Sequence, residues 1–98
     1  AVAGMVIGAD IGASLDELDR RMLNNNYQTA LETSPTNTAV AWKNPDSGNS
    51  GSVKPTRTFY RADTVCREYT QEIIVGGRKE QGYGQACRSA DGDWQIVK

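Results

Sequence analysis

A diglycine, Gly76-Gly77, lies between two runs of residues typical of β-strands, and it constrains the fold more than any other feature of the sequence. Two-residue hairpin turns need positive φ angles, which glycine adopts without steric cost. If these glycines form the turn, residues paired across the hairpin have numbers that sum to 153, as 76 and 77 do. Cys66 and Cys87 satisfy this sum. The sequence therefore predicts that the two cysteines face each other on adjacent strands.

The predicted register places the two cysteines where they can form a disulfide. The residues that flank such a turn form a hydrogen-bonded pair, and the pair type alternates along the hairpin. Cys66 and Cys87 then occupy a non-hydrogen-bonded position, where Cα atoms are about 4.5 Å apart, which lies at the short end of disulfide geometry. A Cys66–Cys87 bridge indicates an oxidising compartment outside the cytoplasm. Two buried free thiols are the alternative, and a bulge at Gly82 or Gly84 would shift the register.

The rest of the chain predicts an α+β fold. Residues 14–17 (Ser-Leu-Asp-Glu) fit a capping box, and leucines and other apolar residues follow at helical spacing until Pro35, which should end the helix near Thr33. The acidic residues of its first turn, including Asp19, are interpreted as a solvated face. Strands are predicted at 38–43, 53–61, 64–75, 78–88 and 94–97. We expect one N-terminal helix packed on an antiparallel β-meander of four to five strands.

Two turn-forming segments and one proline qualify this strand pattern. Residues 44–51 (Asn-Pro-Asp-Ser-Gly-Asn-Ser-Gly) form a predicted loop, and residues 89–92 a predicted turn. Pro55 should lie at a sheet edge or at the start of its strand, because proline cannot donate to a strand ladder.

Residues 1–13 are predicted to be a separate arm, and residues 14–98 one domain. Gly4, Gly8 and Gly12 are four residues apart, a spacing that allows close helix contacts in glycine zippers. The segment is shorter than the ~20 residues of a membrane span, and Asp10 interrupts it. We interpret it as the end of a longer glycine zipper, with a flexible glycine-rich arm as the alternative.

Composition excludes several kinds of active site. The 98 residues include no histidine and only two cysteines, which removes Ser-His-Asp and Cys-His catalysis, HExxH zinc sites and Cys-x-x-Cys pairs. The net charge is −1 and no basic patch is evident along the sequence, so nucleic acid is not an expected partner. We expect no enzyme activity, no cofactor and no metal.

Candidate binding residues come from aromatic, loop and arginine positions, each with a structural alternative. The aromatic residues would line a groove for a peptide or glycan, or belong to the core; they are the two tryptophans with Phe59, Tyr60, Tyr69 and Tyr83. The arginines beside the cysteines would clamp a carboxylate, or be solvated and pair with Glu68 or Glu80. Asp46 in the loop of residues 44–51 would bind calcium, or have only a structural role in the turn. The candidate residues are Trp42, Asn44, Asp46, Arg67, Arg88 and Trp94. Asp91 and Asp93, or Glu68, are the carboxylates on which hydrolysis would depend, although turn chemistry also explains the two aspartates.

Three stretches of the chain resemble bacterial surface-antigen lipoproteins typified by the rickettsial seventeen-kilodalton antigen. They are the spaced glycines of residues 1–13, the tryptophan-and-turn motif from Trp42 through residues 55–57, and a C-terminal block. That block contains Cys66-Arg67-Glu68-Tyr69, Gly76-Gly77, Tyr83-Gly84-Gln85-Ala86-Cys87-Arg88 and Asp91-Gly92-Asp93-Trp94. The resemblance implies export, lipid attachment at the N terminus of the parent protein, and an outer-membrane or periplasmic location. It implies no biochemical activity that transfers residue by residue.

These features support two leading hypotheses. The first is a non-catalytic envelope domain with a structural or interaction role, whose partner is an envelope protein or cell-wall component and which meets the membrane only through its N-terminal segment. The second is a periplasmic inhibitor or a peptide- or glycan-binding module that uses the hairpin or the 44–51 loop, since a stapled hairpin loses little entropy on binding.

The disulfide is directly testable. Non-reducing mass spectrometry of the oxidised protein should show one linked peptide that contains Cys66 and Cys87, and reduction should lower the free energy of unfolding by about 3 kcal/mol. Alkylation of both cysteines without prior reduction would contradict the predicted pairing.

Overall fold

The computed structural model describes residues 14–97 as one helix followed by five strands. The elements are α1 (Glu17–Thr33), β1 (Val40–Lys43), β2 (Ser50–Arg61), β3 (Thr64–Val75), β4 (Arg78–Arg88) and β5 (Trp94–Ile96). The strands form one antiparallel sheet in the order β1-β2-β3-β4-β5. The helix packs on one face of this sheet, which confirms the predicted α+β class. The arm predicted for residues 1–13 lies outside the described residues.

The β3–β4 hairpin has the register that the diglycine predicts. Gly76 and Gly77 have φ angles of 58° and 79°, as a primed turn requires. Cys66 pairs with Cys87 across the strands, and their Cα atoms are 4.0 Å apart. The two residues form a disulfide, which excludes the alternative of free thiols. The pairing continues without a shift from the turn to the cysteines, so neither of the strand glycines produces a bulge.

Helix α1 begins later than its sequence predicts, because Asp16 and Asp19 form the capping box in place of Ser14 and Glu17. The N-cap is Asp16, whose Oδ1 accepts a hydrogen bond from the Asp19 amide at 2.7 Å. The Asp19 carboxylate in turn accepts the Asp16 amide at 3.0 Å. The predicted box from Ser14 to Glu17 is therefore wrong by two residues. The helix ends at Thr33, as Pro35 predicts.

Strand β2 differs most from its prediction. It begins at Ser50 rather than at residue 53, and Pro55 lies within it. β1 pairs with β2 only as far as Val53, so Pro55 occupies an open edge, where the Asn37 amide donates to its carbonyl at 2.7 Å. The register with β3 shifts between Pro55 and Arg57. This bulge reverses which residues of β2 face the helix.

The core lies between α1 and the sheet in two clusters. Helix residues occupy both, so α1 joins the two ends of the sheet. In one cluster the rings of Tyr27 and Tyr69 meet edge to face, with centroids 5.2 Å apart. That cluster also contains Ala30, Leu31, Val53, Ala86 and Trp94. The other contains Leu15, Leu23, Trp42, Ile73 and Val75.

Two amide side chains of α1 cover the outer backbone of both edge strands. Asn26 Nδ2 donates to the carbonyl of Val40 in β1 at 2.9 Å. Gln28 Nε2 donates to the carbonyl of Trp94 in β5 at 2.9 Å, and Gln28 Oε1 accepts the Trp94 amide at 2.7 Å. Because β1 and β5 are the first and last strands, the sheet must curve around the helix for one helix to reach both. Within residues 14–97, no helix has the length and apolar character needed to cross a bilayer.

Gly51 of β2 has no room for a side chain. A Cβ at this position would lie 2.6 Å from Nε1 of Trp42 and 2.7 Å from the carbonyl oxygen of Glu72. The Trp42 indole therefore packs directly over the backbone of the neighbouring strand. This contact explains why tryptophan and glycine occur together in the motif of residues 42–51.

Gly51→Ala should lower the free energy of unfolding by about 1–3 kcal/mol, because the indole or the strand must move. Ser52→Ala, at the next position on the other face, should change it by less than about 0.5 kcal/mol. Denaturant unfolding followed by circular dichroism measures both, and equal stability of the two variants would contradict the close contact.

Candidate functional site

A buried carboxylate joins the helix to the loop that follows β1. Asp19 has no exposed surface. Its Oδ1 accepts hydrogen bonds from Asn44 Nδ2 at 2.8 Å and Ser47 Oγ at 2.6 Å, and its Oδ2 accepts one from Asn49 Nδ2 at 2.8 Å. The Asp16 amide supplies a fourth donor. The interpretation of Asp19 as part of a solvated face is therefore wrong.

The hydrogen bonds keep this carboxylate charged. Burial opposes ionisation of Asp19, but the donors Ser47, the Asp16 amide, Asn49 and Asn44 together hold its pKa below the usual value. Its position in the first turn of α1 adds the favourable end of the helix dipole. The four donors thus make ionised Asp19 a stable structural anchor.

The same side chains fix the loop and the hairpin turn beside it. The side-chain Oδ1 of Asn44 accepts a hydrogen bond from the backbone amide of Asp46 at 3.0 Å. Two backbone hydrogen bonds close the loop. The Asn44 amide donates to the Asn49 carbonyl at 2.9 Å, and the Gly48 amide donates to the Asn44 carbonyl at 2.8 Å. Asn49 Oδ1 accepts the amide of Gly76 at 3.3 Å. The loop of residues 44–49 thus joins the start of α1 to the diglycine turn.

Arg67 is buried, which contradicts its interpretation as a solvated strand arginine. Its Nη1 donates to the carbonyls of Leu31 at 2.9 Å and Ala30 at 3.4 Å, and its Nε donates to Thr58 Oγ1 at 3.0 Å. Burial lowers the pKa of its guanidinium. The last turn of α1 has no basic residue, so β3 supplies the cation that the helix C terminus favours.

The structure separates the remaining candidate residues into buried and exposed ones. Trp42 and Trp94 lie in the two core clusters, so they do not line a groove. Asp46 is exposed in the loop. Arg88 is exposed and pairs with Glu32 at 2.8 Å, whereas Glu68 or Glu80 was the expected partner. A binding role for Asp46 and Arg88 stays a prediction.

The carboxylates considered for hydrolysis lie in ordinary structural settings. The Ser89 amide donates to the Asp93 carbonyl and the Gly92 amide donates to the Ser89 carbonyl, so Asp91 and Asp93 flank a closed turn. Glu68 Oε1 accepts from Arg57 Nη2 at 2.8 Å and from Gln85 Nε2 at 3.2 Å. Among residues 14–97, no group of three acidic or thiol side chains is placed to hold a metal ion.

The face of the sheet opposite α1, called the open face below, carries an excess of positive charge. Strand pairing places five basic and two acidic residues on it, a formal charge of +3, whereas the whole chain carries −1. The basic residues are Lys43, Lys54, Arg57, Arg61 and Lys79, and all five are exposed. The acidic residues are Glu68 and Glu72.

This patch is not recognisable along the sequence, because its members are scattered over 37 positions, from 43 to 79. Lys54 and Arg57 have opposite parity, so a regular strand would place them on opposite faces. The bulge between Pro55 and Arg57 brings both to the open face. The proline at position 55 is the sequence feature that could have indicated this bulge, because proline within a strand often lies at a bulge.

Both acidic residues of the open face, Glu68 and Glu72, already form hydrogen bonds and ion pairs with neighbouring side chains. The hydrogen bond from Arg57 lowers the pKa of Glu68, and the hydrogen bond from Gln81 lowers that of Glu72. Lys79 Nζ also lies 3.4 Å from the Glu72 carboxylate. Lys43, Lys54 and Arg61 form no ion pair within residues 14–97.

Tyr83 stands between two shallow depressions of the open face. It is 81% exposed, the most exposed of the large apolar side chains in residues 14–97. One depression, of about 560 Å³, includes Lys54, Thr70 and Gln81. The other, of about 360 Å³, includes Thr56 and Gln85. Tyr83 lines both, and most of their other side chains are hydroxyls, amides and single charges.

Asp19→Asn should lower the free energy of unfolding by about 2–4 kcal/mol, because the new amide group turns a donor toward donors of the loop. The folded-state pKa of Asp19 is depressed, so its stabilisation is present above the unfolded-state pKa and disappears as pH falls through the folded-state value. The variant should therefore lose less stability than the parent on acidification below about pH 4.

Asp46→Asn is the matched control in the same loop, and should shift stability by less than about 0.5 kcal/mol. Urea unfolding between pH 2 and pH 7 measures both quantities. If the free energy of unfolding fell equally steeply with decreasing pH in Asp19→Asn and in the parent, Asp19 would not be the group whose protonation destabilises the fold.

Comparison with known proteins identifies the family. The profile of the family described as "17 kDa outer membrane surface antigen" matches residues 29–95. The chain is 48% identical over 89 residues to the 17 kDa surface antigen of Rickettsia bellii (89% of this chain, 55% of the relative), and 51% identical over 87 residues to that of Rickettsia japonica (87% and 54%). The Rickettsia prowazekii antigen is 50% identical over 83 residues (84% and 52%). The chain spans about half the length of these relatives, and no solved structure matches it. The chain therefore belongs to the 17 kDa outer membrane surface antigen family.

Proposed function

We propose that this chain is a non-catalytic interaction domain of the bacterial outer membrane envelope, which presents the open face of its sheet to an envelope component. The charge of the open face carries the proposal. A formal charge of +3 on one face of a chain with net charge −1 leaves −4 for the rest of the sequence. Such asymmetry gives the domain one face that attracts anionic partners.

The family and the disulfide support the location. The family is described as "17 kDa outer membrane surface antigen", and a disulfide persists in oxidising compartments. Attachment through a lipid on a preceding N-terminal segment is part of the proposal, with the domain itself held at the membrane only through that segment.

The carboxylates of the open face support a non-catalytic role. General acid catalysis near neutral pH needs a carboxyl group whose pKa is raised. The hydrogen bonds from Arg57 to Glu68 and from Gln81 to Glu72 instead lower the pKa of each group. Both carboxylates therefore remain charged and serve as partners of neighbouring side chains.

The alternative of an inhibitor that inserts its loop receives no support from the loop contacts. The side chains of Asn44 and Asn49 point inward to Asp19, and Asn49 also holds the hairpin turn at Gly76. The side chains of Asn44 and Asn49 are therefore not available to a partner, and only residues 45–48 of the loop are exposed.

Site-specific photocrosslinking in cells tests the proposal. A photoreactive residue in place of Thr70, exposed at the centre of the open face, should form adducts with envelope components in the full-length protein. The matched control replaces Thr29, which is exposed on α1. Adducts from position 70 and not from position 29 support the proposal. No envelope adduct, or equal adducts from both positions, would overturn it.

A further inference from the structure

One row of the open face combines an aromatic ring, a hydroxyl and a free cation. Lys54 of β2 pairs with Thr70 of β3, and Thr70 pairs with Tyr83 of β4. Neighbouring strands are about 4.8 Å apart, so the Cα atoms of Lys54 and Tyr83 are separated by roughly 10 Å. Side chains directly across a ladder project to the same face. The three groups therefore lie side by side above the sheet.

The neighbouring rows add planar hydrogen-bonding groups. Gln81 lies on one side of Tyr83 along β4 and Gln85 on the other. Each depression that flanks Tyr83 includes one of these amides and at least one hydroxyl, from Thr70 or Thr56. Hydroxyls and amides that converge on a concave site match the hydroxyl and acetamido groups of sugars.

We infer that the open face binds an acidic polysaccharide, with Tyr83 stacked on a sugar ring and Lys54 paired with a carboxylate of the glycan. This inference rests on the proposed function and names the chemical class of its partner. An aromatic ring with a polar tip suits the alternating apolar and polar surfaces of a sugar. Lys54 forms no ion pair within residues 14–97, so its ammonium is available to a carboxylate.

The shape of the face favours a glycan over a membrane surface. Membrane-surface binding requires apolar side chains that insert below the headgroups. Here most side chains around Tyr83 are threonines, glutamines and single charges, whose carbon atoms line much of the depressions but which carry no large apolar group to insert into a bilayer. Phe59, the aromatic residue of the row that holds the disulfide, lies under the guanidinium of Arg57, whose central carbon is 4.6 Å from the ring centroid.

The number of free cations favours a glycan over nucleic acid. Proteins that neutralise the phosphates of a duplex commonly use about 6–10 basic contacts. Within residues 14–97, Arg57 and Lys79 pair with the two glutamates of the open face, which leaves three basic residues there without ion pairs, Lys43, Lys54 and Arg61. A polysaccharide with one carboxylate for every one or two sugars carries a lower charge density than a duplex, so it requires fewer cations.

Titration of the disulfide-bonded domain with defined polymers tests the inference. The probes are polygalacturonate oligosaccharides and carboxylate-bearing peptidoglycan fragments, compared with neutral chitin oligosaccharides, phosphatidylglycerol vesicles and a DNA duplex. Isothermal calorimetry at low and high salt should show binding to at least one acidic glycan that weakens with salt. Binding to neither acidic glycan would overturn the inference, as would tighter binding to vesicles or DNA.

Two substitutions and two matched controls locate the site. Tyr83→Ala should weaken glycan binding about tenfold. Tyr60→Ala removes an equally large ring, 74% exposed, from the opposite face of β2 and should change affinity less than about twofold. Lys54→Gln should weaken binding and reduce its salt dependence, and Arg21→Gln on α1 should do neither. Equal effects of Tyr83→Ala and Tyr60→Ala would contradict the assigned site.

The two proposals fail in different ways. If the photocrosslinker at position 70 captures an envelope protein or lipid and no glycan, the interaction role stands and the polysaccharide inference is wrong. If it captures no envelope component, the proposed function itself is wrong. Unfolding curves and the intact disulfide of each variant establish that lost binding does not reflect a lost fold.

Discussion

The carboxylate of Asp19 connects parts of the chain that would otherwise have few reasons to meet. It lies in the first turn of α1, and three of its four donors come from a loop 25–30 residues later. Asn49 also contacts the hairpin turn, because its Oδ1 accepts a hydrogen bond from the Gly76 amide. Burial of a lone carboxylate is costly unless hydrogen bonds replace the lost water, so every donor must be in place at once. The chemistry of this site is therefore that of a folding constraint, and the open face for which we propose a binding role lies on the other side of the sheet.

The helix and the sheet depend on each other at their ends as well as in their core. Arg67 of β3 donates to the last carbonyls of α1, while Asn26 and Gln28 of α1 cover the backbone of β1 and β5. These contacts replace the local caps and edge charges that isolated elements would need. They also fix the curvature of the sheet around one helix. The open face is shaped by the same curvature, since it is the other side of the same five strands.

The sequence predicts the features that depend on neighbours along the chain. The hairpin register follows from two glycines and a numerical sum, and the end of α1 follows from Pro35. The role of Asp19 was not predictable, since an acidic residue in a first helical turn is also expected in a solvated helix. Arg67 has the same ambiguity, because a buried cation and an exposed one look alike in sequence. The open face depends on a bulge next to Pro55, which changes the parity of every later residue in β2.

Each core cluster contains one of the two tryptophans of the chain, Trp94 beside Tyr27 and Trp42 beside Ile73. The fold thus carries two native fluorophores, one in each half of its interior and both shielded from water. With either indole replaced by phenylalanine, the emission of the other reports on its own half alone. Whether the two halves melt together or in succession is then readable from two optical traces, without any attached dye.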